Sequence, residues 1–197
     1  MAGRPREFDV DQALESALTV FRQKGFEGTS LPDLTEAMGI NRPSLYAAFG
    51  NKEELFRKAL DRYTEKALAG MQEALAAPTA RAAVEKLLCA VASGAACPKS
   101  PKGCLHVQGA LSGSDDSRAI RDELAARRSH AEFLMRQRFE RAIAEGDLSP
   151  TVSAADLAAY VATVMQGMAV QSSSGASSDA LRNIAQMALQ VFPDQKA

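Results

Sequence analysis

The chain has no tryptophan, three cysteines and two histidines among its 197 residues, and its net charge is only -1. No apolar run approaches the roughly 20 residues that span a bilayer. The polar start, Met1-Ala-Gly-Arg-Pro-Arg-Glu-Phe-Asp9, is not followed by a long apolar stretch, so no secretory leader is read and the expected compartment is the cytoplasm. An odd number of cysteines, Cys89, Cys97 and Cys104, argues against a disulfide framework in such a compartment. His106 and His130 are the only histidines, too few for a paired-histidine metal motif. A phosphate-binding glycine loop, a Gly-x-Ser-x-Gly elbow and a Cys-x-x-Cys pair are also missing, which excludes the commoner enzyme signatures. Near-neutral charge gives no gross basic excess, so any polyanion would have to be met by a local basic face.

What remains is an ordinary globular composition, 46% hydrophobic and 24% charged, with helical periodicity almost throughout. Val10, Ala13, Leu14, Ala17, Leu18 and Phe21 form one amphipathic stripe, with Asp9 as N-cap and Gly25 as stop. A short second helix is bracketed by Ser30 and Gly39, with Ser30 and Asp33 forming a capping-box pattern and Pro32 in the first turn. Asn41 caps a third helix that ends at Gly50, and Asn51 caps a long fourth helix carrying Phe56, Leu60, Tyr63, Ala67, Met71 and Leu75. Pro78 breaks it. Further helices are expected over about 79–93, from near Cys104, over about 119–145, from a Ser153 cap to about Gln171, and over about 179–192, with Ser172 to Ser178 as a linker. No strand-like alternation or internal repeat is present. The expected fold is all-α: a three-helix N-terminal domain (1–50), a connecting helix (51–77) and a larger helical bundle (78–197), about nine helices altogether.

Two short helices joined by a tight glycine turn form a helix-turn-helix pattern. The second carries small or hydrogen-bonding outward residues, as entry into a major groove about 12 Å wide demands. The run from Phe26 to Phe56 resembles the DNA-binding signature of TetR-family regulators, through Gly25-Phe26, Thr29-Ser30, Gly39-Ile40, Leu45-Tyr46, Phe49 and Lys52-Glu53-Glu54-Leu55. Gly3-Arg4-Pro5-Arg6 is similar to that family's N-terminal arms. The resemblance covers the first third of the chain. It implies that Arg42, Ser44 and Ala47 face base edges and that Tyr46, Thr29 and Lys52 hold phosphates. Arg4 and Arg6 would form a minor-groove arm. Ser30 and Asn41 complete the expected DNA-facing set.

The same resemblance implies a ligand-responsive regulator, a homodimer on a roughly palindromic operator, with a small-molecule effector in the C-terminal bundle and no cofactor. Expected pocket residues are Cys104, His106, Gln108, Phe133, Met135, Phe139, Tyr160, Val164, Met165 and Met168. Expected interface residues are Val161, Leu181, Ile184, Met187, Ala188 and Val191, with Val164 and Met168 open to either role. Plain core is the competing reading for each. Cys104 follows Lys102 and a glycine and is expected to open a helix, two features that favour thiolate. Together with Cys97 and His106 it makes a thiol- or metal-sensing regulator the alternative, whereas Cys89 is expected to be buried. A helical interaction module without a DNA role is the remaining alternative. Repression is the expected action.

Overall fold

The computed structural model describes residues 8–94, 102–108 and 117–193, apart from the side chain of Gln108. Within these residues the chain forms helices and no strand. They are α1 (Val10–Lys24), α2 (Leu31–Met38), α3 (Arg42–Phe49), α4 (Lys52–Leu75), α5 (Ala80–Gly94), α6 (Leu105–Gln108), α7 (Arg118–Ala144), α8 (Ala154–Ser173) and α9 (Ser178–Val191). Arg4, Arg6 and Cys97 lie outside the described residues.

Local chemistry sets the boundaries in the N-terminal third. Asp9 Oδ1 accepts from the backbone N–H groups of Asp11 and Gln12 at 2.9 and 3.1 Å, satisfying donors that a helix start leaves open. Reciprocal capping boxes start α2 (Ser30 with Asp33) and α4 (Asn51 with Glu54). Gly50 is required where it stands. Its φ is +81°, and a Cβ there would lie 2.0 Å from the Glu54 carboxylate that closes the α4 box.

The buried side chains gather into two clusters. One joins Leu14, Leu18 and Phe21 of α1 to Leu34, Leu45, Phe49, Phe56 and Leu60, and it also takes in Leu105 of α6 and Ile120 and Leu124 of α7. Phe21 meets Phe56 edge-on at 5.0 Å between centroids. The second cluster is built by α5, α7, α8 and α9 with the C-terminal end of α4. α4, about 36 Å long at 1.5 Å per residue, runs from one to the other.

Arg138 holds the far end of α4. It is only 4% exposed. Its Nε donates to the Leu75 carbonyl at 3.1 Å, and Nη2 donates to the carbonyls of Ala77 and Pro78 at 3.2 and 3.4 Å. Asp147 Oδ2 lies 3.9 Å from Nη2 and accepts the Ala80 N–H at 2.5 Å, which starts α5. One buried guanidinium therefore ties the end of α4, the Pro78 break and the start of α5 to α7.

Helix limits agree with the expected ones to within a few residues, and one small shift changes a reading. α8 continues to Ser173, and Ser172 is buried within it, so the expected serine linker shrinks to the turn before Ser178. Cys89, expected to be buried, is exposed on α5. Replacing Arg138 with Met removes the donors of several buried carbonyls and leaves Asp147 without its cation. Urea denaturation is expected to show a loss of about 3 kcal/mol, against about 1 kcal/mol for removing the α4 cap in Asn51→Ala. A Met variant as stable as the wild type would remove the clamp role.

Candidate nucleic-acid interface and effector cavity

α3 buries Leu45 and Phe49 and turns its other side outward. Arg42, Pro43, Tyr46 and Ala47 are exposed and Ser44 is half-buried. Tyr46 is 48% exposed, so its ring is not a core residue. Asn41 Oδ1 accepts from the Ser44 backbone N–H at 2.9 Å and fixes the first turn. Arg42 has no partner among the described residues, whereas four other cations of the N-terminal half are paired with carboxylates. Lys24 pairs with Asp33 at 2.6 Å, Arg57 with Glu53 at 2.6 Å, Lys66 with Glu15 at 3.0 Å, and Arg62 with Asp11. Asp33, accepting from Lys24 first and then from Ser30, is held well below the usual carboxylate range.

Two expected DNA contacts change. Thr29 is 1% exposed, and its hydroxyl donates to the Gly25 carbonyl at 2.6 Å, so its side chain faces inward and does not reach a phosphate. Ser30 is exposed, but its hydroxyl is engaged with Asp33 in the capping box. Lys52 stands in the first turn of α4 with Nζ 4.5 Å over the Phe26 ring, and burial lowers its pKa. Pro43, absent from the expected set, is exposed beside Arg42; a helical wheel places it between Arg42 and Ala47.

A cavity of about 1150 Å³ lies between α4, α5, α6, α7 and α8. Of the expected pocket residues, Cys104, His106, Met135 and Met165 line it. The side chain of Gln108 lies outside the described residues. The remaining expected residues stand elsewhere. Phe139 is fully buried against Phe192, and Met168 is core. Tyr160 and Val164 pack on the core from its edge. Phe133 is 50% exposed, stacked on His130 at 6.5 Å. Much of the lining comes from α4 and α5, which are absent from the expected set: Tyr63, Thr64, Ala67, Gly70 and Ala74, then Leu87, Cys89 and Ala90. The signal that points to them is small residues at helical spacing, Ala67, Gly70 and Ala74 on α4 and Ala162, Ala169 and Ser172 on α8.

Polar groups collect at the corner where α4, α6 and α7 meet. Tyr63 donates to Cys104 Sγ at 3.4 Å, and His106 Nε2 lies 2.9 Å from Thr64 Oγ1. Arg127 donates to Thr64 Oγ1 at 3.0 Å, to Asp61 at 2.5 Å and to Glu123 at 2.7 Å. Arg128 donates to the His106 carbonyl at 2.5 Å. Among the described residues no group of His, Cys, Asp and Glu could hold a metal ion. Burial pushes the Tyr63 phenol up, with the Cys104 sulfur adding to the effect.

The expected interface residues divide in two. Val161, Leu181 and Ala188 are buried inside the protomer and are core, not interface. Ile184, Met187 and Val191 are 37%, 67% and 72% exposed, in one stripe along α9.

Residues 13–59 match the family described as bacterial regulatory proteins, tetR family, and residues 80–188 match the tetracyclin repressor-like C-terminal domain. The chain belongs to the TetR family. It is a DNA-binding transcriptional regulator. It is 35% identical over 194 residues to the HTH-type transcriptional repressor ComR of Escherichia coli (strain K12), covering 98% of this chain and 92% of ComR. Against BdcR, a second HTH-type transcriptional repressor of the same strain, identity is 31%, with 94% and 90% covered. A cysteine mutant of the TetR-family regulator CifR, solved in complex with 26-bp operator DNA, superimposes with a TM-score of 0.93 at 43% identity, covering 96% of this chain and 100% of that one. No helix among the described residues is long and apolar enough to cross a membrane.

His106 gives this regulator a pH dependence. Burial, and then the charges of Arg127 and Arg128, lower its pKa from 6.5 to about 4. The folded chain therefore binds fewer protons than the unfolded chain between those values, and stability falls as pH drops from about 6.5 to about 4. Urea midpoints at pH 7.5 and 5 should differ more for the wild type than for His106→Gln. Equal differences would show that the ring is not shielded.

Proposed function

We propose that the chain is a homodimeric repressor whose α3 helices enter successive major grooves of a near-palindromic operator, and that a small molecule in the bundle cavity releases it. Residues 1–50 act as reader, 51–77 as connector and 78–197 as sensor and dimerisation unit. The observation that carries the reading is the outward side of α3, where Arg42, Tyr46 and Ala47 stand exposed on a helix whose opposite face is fully buried. Arg42, Ser44 and Ala47 contact base edges, and Ala47 suits a thymine methyl. Tyr46 and Lys52 hold phosphates, Lys52 with help from the α4 N-terminus. Asn41 keeps the first turn of α3 rigid. Arg4 and Arg6 reach the minor groove ahead of α1. That the CifR mutant was solved on operator DNA supports this placement.

The dimer forms through α8 and α9, with Ile184, Met187 and Val191 as the apolar stripe that a second copy covers. Effector in the cavity favours a tilt of α4 that changes the spacing of the two reading heads. Linkage then requires operator DNA to weaken effector binding by the same factor.

Fluorescence anisotropy with the DNA flanking the chain's own gene tests the reader. Tyr46→Ala should lose at least about tenfold in affinity, near 1.4 kcal/mol. Lys52→Ala should flatten the salt dependence by about 0.9 in log–log slope for each phosphate that is no longer neutralised. Binding that is indifferent to salt and to Tyr46 would leave the helical interaction module as the better reading. For the dimer, Met187→Glu with Val191→Glu should move the sedimentation coefficient to that of a monomer and weaken operator binding; a double variant that stays dimeric places the interface elsewhere.

A further inference from the structure

The hydrogen-bond accounting at Thr64 fixes the chemistry that the cavity offers. A threonine hydroxyl has one proton and two lone pairs. Thr64 Oγ1 lies 2.7 Å from the Leu60 carbonyl, which can only accept, so the proton goes there. Towards Arg127 Nη1 at 3.0 Å, which can only donate, Oγ1 accepts. Its second lone pair then faces His106 Nε2 at 2.9 Å, and that nitrogen must carry the proton. The ring stays neutral at ordinary pH because burial, Arg127 and Arg128 all oppose its charge. A neutral imidazole protonated at Nε2 has a bare lone pair at Nδ1. No described residue donates to Nδ1, and His106 lines the cavity.

The cavity wall is largely apolar by area, although charged side chains such as Arg22, Lys66, Lys86 and Glu73 reach its edge, and Nδ1 is a fixed acceptor at one corner. An acceptor left without a donor when an apolar molecule displaces water costs free energy, and a ligand O–H removes that cost. An ether oxygen or a carboxylate, with lone pairs only, opposes Nδ1. We propose that the effector is a mainly apolar molecule bearing a hydroxyl, an alcohol or a phenol, that donates to Nδ1 of His106. This inference rests on the reading of the chain as an effector-released regulator, and it names the chemical class of that effector. The position of the ring adds a route to α4. Donation to Nδ1 polarises the imidazole and strengthens the bond from Nε2–H to Thr64, a residue of the helix that begins beside the recognition helix.

With only two histidines in the chain, imidazole nitrogen NMR on the full-length protein labelled with 15N-histidine resolves both rings, and His130→Gln assigns them. The expected free state is the Nε2–H form of His106 at neutral pH. The probes are 4-butylphenol, its methyl ether 4-butylanisole, and 4-butylbenzoate. The phenol should shift His106 Nδ1 towards the hydrogen-bonded position and leave His130 unmoved; the ether and the carboxylate should not. In thermal-shift titrations the phenol should bind about tenfold more tightly than the ether, and His106→Phe, checked for helicity by circular dichroism, should lose that preference. An Nδ1–H tautomer in the free protein, an Nδ1 signal unmoved by millimolar phenol, an equal response to the ether or the carboxylate, or a preference that survives in His106→Phe each overturns the proposal. Operator binding on the same samples separates the two levels. If it is intact beside any of those results, only the effector class fails; if the wild type binds no operator at all, the regulator reading itself fails.

Discussion

The DNA-reading end of this protein does not close its own hydrophobic core. Leu105 from α6 and Ile120 and Leu124 from α7 complete the cluster around Phe21, Leu45, Phe49 and Phe56. Each is at most 2% exposed, and burying such a side chain contributes about 1.5–3 kcal/mol. The reader is thus stable in the arrangement that α6 and α7 impose. Because packed interiors resist continuous deformation, a displacement of α6 or α7 is passed to the reader as a repacking. Cys104 and His106, which flank Leu105, face the cavity, so the wall of the sensor and the floor of the reader are one short segment.

The attachments of α4 differ in strength along its length, and burial decides which gives way. Near the reader, Asn51 and Glu54 close its first turn, and Lys58 donates to the Phe49 carbonyl at 3.1 Å. At its middle, Arg127 joins Asp61, Thr64 and Glu123, but Asp61 is 60% exposed. Ion pairs open to water are worth about 0–1 kcal/mol and rearrange cheaply. At the far end Arg138 is buried with carbonyls as its partners, and breaking that arrangement is costly. The proposed tilt of α4 would therefore pivot at its C-terminal end and yield at its middle, beside the cavity. A lever with its fulcrum at Pro78 would move most at Lys52, where the reader is attached.

The parts legible in the sequence are those governed by local rules. Caps at Asp9, Ser30, Asn41 and Asn51, and glycine stops at Gly25, Gly39 and Gly50, act within a few residues and depend on nothing distant. The outward face of α3 follows from period alone, which is why Arg42, Tyr46 and Ala47 can be read directly as exposed. The misplaced residues depend on tertiary neighbours. α8 is apolar nearly all round and the apolar face of α9 is broad, so periodicity cannot say which part meets the protomer and which a second copy. Hence Leu181 and Ala188 point inward while Met187 and Val191 point out. Thr29 reads as a polar surface residue until Gly25 supplies an acceptor 2.6 Å away. Phe139 and Met168 suggest a pocket by their size, yet large apolar residues fill space and small ones leave it.

That last point bears on how the cavity exists at all. Ala67, Gly70 and Ala74 on α4 and Ala162 and Ala169 on α8 all line it, and their side chains are too short to fill the space. A bundle selected for stability alone would place larger side chains there, since a void forfeits dispersion energy on every wall. The void is sustained by the well-packed cluster below it, which joins α5, α8 and α9, and by the Arg138 clamp at its end. A ligand that fills it packs against α4 and α8 together, so it favours the arrangement of α4 in which that packing is best. In the proposed switch, the free energy that moves the reader would then be the difference in ligand packing between two positions of one helix. No separate relay is needed: α4 is at once a wall of the cavity, the carrier of Thr64 and the support of the recognition helix.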